Sequence, residues 1–237
     1  MDHGRSAGIQ SNRRPQWASK RGRPGCRLPL SVFFAGALKI TLSEDVGTST
    51  QHERSIPVLE TKRLTLRAPR HEDVKAITVL ANDRRIAENT TRLPHPYRLA
   101  DAEEFVANVN LRDREACFVL MLDGTLIGAC GIDPRDEGAE LGYWLGAGYW
   151  GHGFMTEAAR AVIDYAFGDL RHETLQSGAR VTNPASRRVL EKCAFQWTGV
   201  RLTRIRAIHS AAPVDRFRLD HGLWLSLKAW GRVRRVA

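Results

Sequence analysis

One stretch of this chain, residues 139–158, restricts the possible folds more than any other. It reads AELGYWLGAGYWGHGFMTEA, and its first seven residues are mostly apolar or aromatic, with one carboxylate, Glu140. Alternation along a strand places Glu140, Gly142 and Trp144 on one face and their neighbours on the other. After Gly153 the apolar residues recur with the period of an α-helix. The stretch therefore predicts a strand, a glycine-rich turn and a helix.

The turn contains glycines at four positions, Gly146, Gly148, Gly151 and Gly153. Such a turn leaves backbone N–H groups uncovered at a helix N-terminus, where the helix dipole favours a pyrophosphate. The spacing of the first three glycines is that of a dinucleotide-binding loop. That fold requires an almost wholly apolar parallel strand and repeated strand–helix units, and the sequence shows neither. The pyrophosphate of an acyl-CoA is therefore the preferred ligand.

The same residues carry a family resemblance. Residues 150–158, WGHGFMTEA, resemble the Gln/Arg-x-x-Gly-x-Gly/Ala loop and the following Thr-Glu-Ala of the Gcn5-related N-acetyltransferase (GNAT) superfamily. Within it, the similarity is to the ribosomal-protein-alanine acetyltransferase (RimJ/RimL-like) group. Trp150 replaces Gln/Arg and Met155 replaces a small residue beside the expected phosphates. Residues 183–195 resemble the family's N-x-x-S-x-x-x-x-E-K-x-G-F, with Ala194 in place of the glycine.

The resemblance implies an α/β (α+β) acyl-CoA acyltransferase fold. Its sheet is twisted, mixed and mostly antiparallel, with about six to seven strands and helices on both faces. A V-shaped split is expected between the strand of Glu140 and the strand that starts at Thr174. This domain is assigned to residues 57–231, between a basic N-terminal extension, residues 1–56, and a basic tail, residues 232–237. The extension is interpreted as a disordered tail or upstream-extended start, an interaction arm or a targeting segment.

Periodicity and turn signals predict the individual elements. Strands are expected at 61–67, 116–121, 125–132, 139–145, 174–180, 199–208 and 215–225, and helices at 72–81, 101–109, 154–167 and 183–193. Asp123-Gly124 is typical of a two-residue type I′ hairpin. Without a bulge, such a hairpin sets Cys117 directly opposite Cys130.

Composition limits the partners. The net charge is +10, and residues 1–55, with nine basic and four acidic side chains, supply half of it. The remaining excess is ordinary for a solvated surface, so no nucleic-acid partner is expected, although a basic tail leaves that role as an alternative. The four cysteines and eight histidines show no metal-binding spacing, so no metal is expected. No apolar run is long enough for a membrane span, and a cytoplasmic monomer or homodimer is expected.

The resemblance and the local pattern together assign candidate site residues. The backbone N–H groups expected to bind pyrophosphate belong to Gly151, His152, Gly153, Phe154 and Met155. The N–H groups of Trp144 and Leu145 are candidates for stabilising an oxyanion. Asn183 is expected to cap its helix and contact the pantetheine arm of acetyl-CoA.

Three side chains have two readings each. Glu140 is either the general base that deprotonates the acceptor or an edge-exposed or salt-bridged glutamate. Ser186 either protonates the leaving thiolate or bonds to the nearby backbone. His152 either pairs with a CoA phosphate or is a solvated loop residue. Tyr143 and Trp144 are interpreted as core or pocket wall.

The predicted function is transfer of an acetyl group from acetyl-CoA to a primary amine. An α-amine, with a pKa of about 7.7–8.0, is partly neutral at pH 7, whereas a lysine amine, at about 10.4, is almost wholly protonated. A single base therefore favours the N-terminal α-amine of a protein or peptide. A small-molecule amine acceptor and a non-catalytic acyl-CoA-binding module are the alternatives.

Overall fold

The computed structural model describes residues 56–109, 116–135 and 138–231. The proposed tail and the proposed extension, apart from Ile56, lie outside them. The strands are β1 Leu59–Glu60, β2 Thr65–Arg67, β3 Ala116–Leu122, β4 Thr125–Arg135, β5 Gly138–Leu145, β6 Thr174–Arg180, β7 Gln196–Ile205 and β8 Ser210–Asp220. The helices are α1 Val74–Ala81, α2 Arg84–Ala87, α3 Leu99–Val109, α4 Phe154–Gly168, α5 Pro184–Lys192 and α6 His221–Gly231.

The strands form one mixed sheet with the order β1-β2-β3-β4-β5-β6-β8-β7. Every neighbouring pair is antiparallel except β5 and β6, which are parallel because α4 connects them as a crossover. The predicted mixed, mostly antiparallel sheet is confirmed. It has eight strands in the described residues rather than six to seven.

Two apolar cores cover the two faces of the sheet. On one face, α4 packs its predicted apolar stripe, including Ala158 and Val162, against β3, β4 and β5. On the other, α1 and α3 pack against Val119 and Leu126. Strands β3 and β4 are buried on both sides, as their continuous apolar sequence predicts.

The β3–β4 hairpin has the predicted turn but not the predicted register. Asp123 and Gly124 both have positive φ, 47° and 78°, as a type I′ turn requires. A bulge then shifts the register between Leu120 and Met121, so Cys130 faces Phe118 and Cys117 faces Gly131. The expected Cys117–Cys130 pair is therefore wrong.

The bulge has an identifiable partner on the next strand. The carbonyl of Ile127, the residue skipped in the ladder, accepts a hydrogen bond of 2.8 Å from the Gly146 N–H just after β5. Ile127 and Cys130 both lie in the α4-side core, which strict alternation does not allow. Because of the bulge, Ile127 and Cys130 point into the same core although they are three residues apart.

The C-terminal boundary also differs from the sequence prediction. The strand expected at 215–225 begins earlier, at Ser210, and ends at Asp220, and helix α6 begins at His221. Trp224 of α6 is buried in the α4-side core, and its indole N–H donates to Asp164 of α4 at 2.9 Å. The apolar residues of this segment suit either a strand or a helix, and packing against α4 therefore decides which of the two forms.

Candidate active site

Strands β5 and β6 separate soon after they meet. Their only ladder pairs are Ala139 with Leu175 and Glu140 with Gln176, after which the Ser177 hydroxyl donates to the Leu141 carbonyl at 2.8 Å. Beyond this point the strands diverge, which forms the V-shaped split that the resemblance implied. A Cβ atom added at Gly142 would meet nothing within 4 Å, so the split is open on the face of Glu140.

A glycine loop at the end of β5 leads into α4. Gly151 and Gly153 have φ of 83° and 78°, values that favour glycine. Gly153 precedes the 15-residue helix and supplies no side-chain cap. The first N–H groups of α4 therefore have no intrahelical acceptor, and they lie at the positive end of the helix dipole. This is the geometry of an anion site, at the place where the sequence predicts one.

The unusual side chains of this loop do not obstruct it. Met155 is buried in the α4-side core, so only its backbone N–H is offered at the helix start. The indole N–H of Trp150 donates to the Leu145 carbonyl at 2.7 Å and so ties the loop to the end of β5. His152 is exposed, with its ring stacked on Phe154 at a centroid distance of 5.7 Å.

An arginine near β2 holds the loop from outside. The Glu157 carboxylate in the first turn of α4 accepts hydrogen bonds of 2.8 Å from the Arg63 N–H, the Arg63 Nε–H and the Thr61 hydroxyl. Arg63 Nη1 also donates to the His152 carbonyl at 3.0 Å. Its guanidinium lies 4.4 Å from the centre of the Phe154 ring. We call this Arg63–Glu157 contact the loop clamp.

Ser186 of α5 and Tyr143 of β5 are in hydrogen-bond contact. Asn183 caps α5 through its side-chain oxygen, which accepts from the Ser186 N–H at 3.1 Å, as predicted from Asn183-Pro184. The Ser186 hydroxyl then lies 3.0 Å from the Tyr143 hydroxyl. The Tyr143 hydroxyl also donates to the Ser186 carbonyl at 3.2 Å.

Tyr143 has a chemical environment that its sequence position did not reveal. Burial raises the pKa of its hydroxyl above the ordinary value, an effect that the Ser186 hydrogen bond only partly offsets. Tyr143 therefore stays protonated at neutral pH and acts as a hydrogen-bond donor. Alternation correctly placed it on the face of β5 opposite Glu140, but no local signal connects it to Ser186, 43 residues away.

Glu140 lies on the open face of the split between two arginines. Its Oε1 accepts from Arg216 Nη1 at 2.9 Å and its Oε2 from Arg135 Nε at 3.2 Å. The structure therefore confirms the ion pairs of this residue, whereas its role as general base stays a prediction. The side chain is about one-fifth exposed.

The two candidate oxyanion donors lie at the far end of β5. The N–H groups of Trp144 and Leu145 belong to residues that β4 still pairs, opposite Ala129 and Gly128. At this point β5 has left β6, so the split gives access to alternate N–H groups of β5. Because the Gly146 N–H donates to Ile127 of β4, the Trp144 N–H also faces β4, and the Leu145 N–H faces the split. The Trp144 ring packs toward α1 and α3, and Leu145 is buried in the α4-side core.

A cavity of about 370 Å³ occupies the face of Glu140. Its walls come from the loop after α2, helix α3, strands β4 to β6 and strand β8, and it reaches both Tyr143 and Ser186. Among the described residues, no group of three metal-ligating side chains is found. None of the described helices is long and apolar enough to span a bilayer.

The split sheet, the glycine loop at a helix N-terminus and the adjoining cavity define a protein of the acyl-CoA acyltransferase class. The profile of the acetyltransferase (GNAT) domain matches residues 63–196, more than half of the chain. The chain therefore belongs to the GNAT acetyltransferase family and is an N-acetyltransferase.

Two sequence relatives agree with this assignment. The uncharacterized N-acetyltransferase p20 of Bacillus licheniformis is 30% identical over 149 residues, which cover 60% of this chain and 84% of p20. The ribosomal-protein-serine acetyltransferase of Escherichia coli is 33% identical over 95 residues, 37% of this chain and 52% of that protein.

Solved structures show the same fold. RimJ of Mycobacterium smegmatis, in complex with CoA-disulfide, superposes with a TM-score of 0.62 at 18% identity, over 74% of this chain and 94% of that chain. The spermidine N-acetyltransferase of Vibrio cholerae, in complex with CoA and spermine, has a TM-score of 0.59 at 24% identity, over 69% and 98%.

Proposed function

We propose that this protein transfers an acetyl group from acetyl-CoA to the α-amine of a protein or peptide N-terminus. The observation that carries this proposal is the split between β5 and β6, which has a glycine anion loop at one end and the cavity of Glu140 on one face. This arrangement lets a thioester enter from the loop and an amine enter from the cavity. Acetyl-CoA supplies the activated acyl group and the thiolate leaving group.

The loop residues Gly151 to Met155 are proposed to hold the pyrophosphate through backbone N–H groups. Asn183 adds a contact to the pantetheine arm beyond its capping role. The Leu145 backbone N–H, which faces the split, donates to the oxyanion that forms when the amine attacks the thioester carbon, whereas the Trp144 N–H faces β4. One such donor contributes about 3–4 kcal/mol to transition-state stabilisation in enzymes where it has been removed.

Proton movements are assigned to the two sides of the split. As the C–N bond forms and the C–S bond breaks, the Tyr143–Ser186 hydroxyl pair gives a proton to the departing thiolate. Glu140, directly or through a water, takes the proton that the amine loses. Glu140 must first give up a hydrogen bond from Arg135 or Arg216, so an amine that is already partly neutral suits this site best.

Relatives support the choice of acceptor without fixing it. One relative is named a ribosomal-protein-serine acetyltransferase, which favours a protein acceptor, while the spermidine N-acetyltransferase is named for a polyamine. The cavity, about 370 Å³, is also of a size that binds small molecules, so a small-molecule amine is the second candidate.

Cofactor binding tests the proposed loop. CoA is expected to raise the melting temperature, and Gly153→Asp is expected to abolish the shift because it places a carboxylate beside the phosphates. Gly153→Asn, similar in size and tolerant of positive φ but uncharged, is the matched control and is expected to retain part of the shift. A full shift in Gly153→Asp would move the CoA site elsewhere.

Turnover tests the proposed base. Glu140→Gln is expected to lower kcat about 100-fold, the lower range for a general base, with little change in the thermal shift caused by CoA. The loss is expected to be greater for a lysine side-chain amine than for an α-amine. Equal activity of the two proteins from pH 6 to 9 would remove Glu140 from the reaction.

A further inference from the structure

Two carboxylates stand side by side in the wall of the cavity. Asp133 of β4 and Glu140 of β5 are direct cross-strand partners, an arrangement that repels unless it is neutralised. Arg135 bridges them, 2.5 Å from Asp133 and 3.2 Å from Glu140. Arg92 lies 2.6 Å from Asp133, and Arg216 lies 2.9 Å from Glu140. Both carboxylates are therefore occupied, and the cluster of five has a net charge of +1.

A further guanidinium in this cavity is not matched by a carboxylate. Arg180, the last residue of β6, lies within 4.0 Å of no carboxylate oxygen in the described part of the chain. Its Nη1 donates to the Glu88 carbonyl at 2.9 Å, and its Nε is buried with no hydrogen-bond partner. A half-buried guanidinium whose buried Nε–H has no acceptor favours an anionic ligand.

The nearby carboxylates do not form an ion pair with Arg180. Glu88 interacts with Arg180 electrostatically, but its carboxylate lies beyond 4.0 Å from it and is ion-paired with Arg84. Asp101 of α3 lies 3.9 Å from Arg206, at the outer wall. Glu104, also on α3, is exposed to solvent. Among the described lining residues, every buried or half-buried carboxylate therefore already has an arginine partner, and the exposed Glu104 is the one carboxylate left for an incoming cation.

Arg180 and the candidate oxyanion donors lie on opposite strands of the split. Glu140 and Gln176 face each other where the strands meet, and Trp144 and Arg180 each lie four residues further along their own strand, about 13 Å. Both residues share the cavity face of the sheet, because the side-chain period is two. An anion held by Arg180 would thus lie across the split from the candidate oxyanion donors.

On the basis of the proposed N-acetyltransferase reaction, we propose that the acceptor carries a carboxylate close to its amine, and that Arg180 binds it. A carboxylate can accept two parallel hydrogen bonds from a guanidinium, and it balances the surplus charge of the cavity. Suitable acceptors are a peptide N-terminus with an acidic residue among the first two, or a small amino acid. Polyamines and lysine-rich N-termini are poor acceptors, because they bring positive charge to this wall.

Matched acceptor pairs test the proposal on the full-length protein. Peptides that begin Ala-Asp, Ala-Asn and Ala-Lys form one set, and β-alanine and its amide form the second. Within whichever set reacts, the carboxylate acceptor is expected to have a kcat/KM at least about 10-fold above its neutral partner. Spermidine is expected to react more slowly than any of the neutral acceptors.

Variants connect the preference to Arg180. Arg180→Gln is expected to reduce the ratio of kcat/KM for the carboxylate acceptor to kcat/KM for its neutral partner to about one. Arg180→Lys keeps the charge but cannot donate two parallel hydrogen bonds, so it is expected to retain part of the preference. Arg204→Gln, an exposed change on β7, is the control that leaves the ratio unchanged. CoA-induced thermal shifts verify that each variant is folded.

The outcomes separate this inference from the proposed function. Acetylation without a carboxylate preference, or with a preference that survives Arg180→Gln, overturns the inference alone. Failure of every amine to react overturns the proposed function, and the inference with it.

Discussion

At the scale of single residues, Ala194 shows what a departure from a family pattern means physically. It follows α5 at the position where the related motif has glycine, and its φ is 65°, in the left-handed region. The Phe195 N–H reaches back to the Leu190 carbonyl at 3.0 Å, so the usual helix-ending geometry is kept. An alanine therefore occupies a backbone conformation that favours glycine, and the site is strained.

Ala194→Gly is expected to stabilise the protein by about 1 kcal/mol. Left-handed backbone is unfavourable for alanine by about 1–2 kcal/mol, and the greater freedom of glycine in the unfolded chain removes part of that gain. Ala76→Gly, at an exposed position within α1, is the matched control and is expected to destabilise by up to about 1 kcal/mol. Urea denaturation measures both, and equal signs for the two variants would contradict the explanation.

At the scale of elements, the loop clamp connects the start of the domain to the candidate CoA site. Arg63 binds the first turn of α4 and the His152 carbonyl at the same time. It thereby fixes the backbone that must present N–H groups to an anion. Its side chain is partly exposed, so its contribution to global stability is small.

Arg63→Ala is expected to raise the Kd for CoA by roughly 5-fold, the upper range for a partly exposed ion pair. KM for acetyl-CoA should rise with it while kcat changes little. Lys62→Ala removes an exposed neighbouring charge without touching the clamp and is the control. An equal loss in both variants would point to general attraction of an anion rather than to loop positioning.

A second element-scale contact joins β2 to the start of α1. Arg67 binds the buried Asp73 carboxylate through two hydrogen bonds, at 2.7 and 2.8 Å, and the Arg70 N–H adds a third, at 2.7 Å. Burial alone would raise the pKa of Asp73, but these hydrogen bonds outweigh it and hold the pKa below its usual value. The stabilisation is therefore present above the unfolded pKa, about 3.9, and is lost as the pH falls through the folded value.

Asp73→Asn is expected to destabilise the protein by about 3 kcal/mol at pH 7, because it leaves Arg67 without its counter-charge. The difference from the parent should shrink as the pH falls below about 4, where the parent carboxylate also becomes protonated. Glu72→Gln, an exposed neighbour, should show neither effect. A pH-independent difference, measured by urea denaturation between pH 7 and 3, would rule out this linkage.

At the scale of the whole molecule, residues 57–231 are proposed to be the complete catalytic domain. All eight described strands and both large cores lie in this range, with Ile56 packed at its margin. The profile match, residues 63–196, falls inside it.

A chain of residues 57–237 is therefore expected to fold and to keep the CoA-induced thermal shift of the full-length protein within about 2 °C. Truncation to residues 64–237, which also removes Thr61 and Arg63 of the loop clamp, is the comparison and should lose part of that shift. Failure of 57–237 to bind CoA would assign residues 1–56 a necessary role.

Local sequence determined much of this protein. Glycines at positive φ, alternation along β5 and the Asn183-Pro184 cap act over a few residues, so they predicted the loop, the face of Glu140 and the start of α5. The mixed sheet followed from a strand, a helix and a parallel strand in series. The family resemblance added the split and the role of the loop.

Only the tertiary structure decided the remaining features, because each depends on groups far apart in sequence. The bulge at Ile127 depends on the Gly146 N–H, and α6 replaces a strand because Trp224 packs against α4. The Tyr143–Ser186 pair joins different elements across the split. Glu140 reaches Arg216, 76 positions away, because Gly178 has no side chain, and a Cβ there would come within 3.0 Å of the Arg216 guanidinium. Residue type and spacing do not predict such contacts, because register and packing alone bring these atoms together.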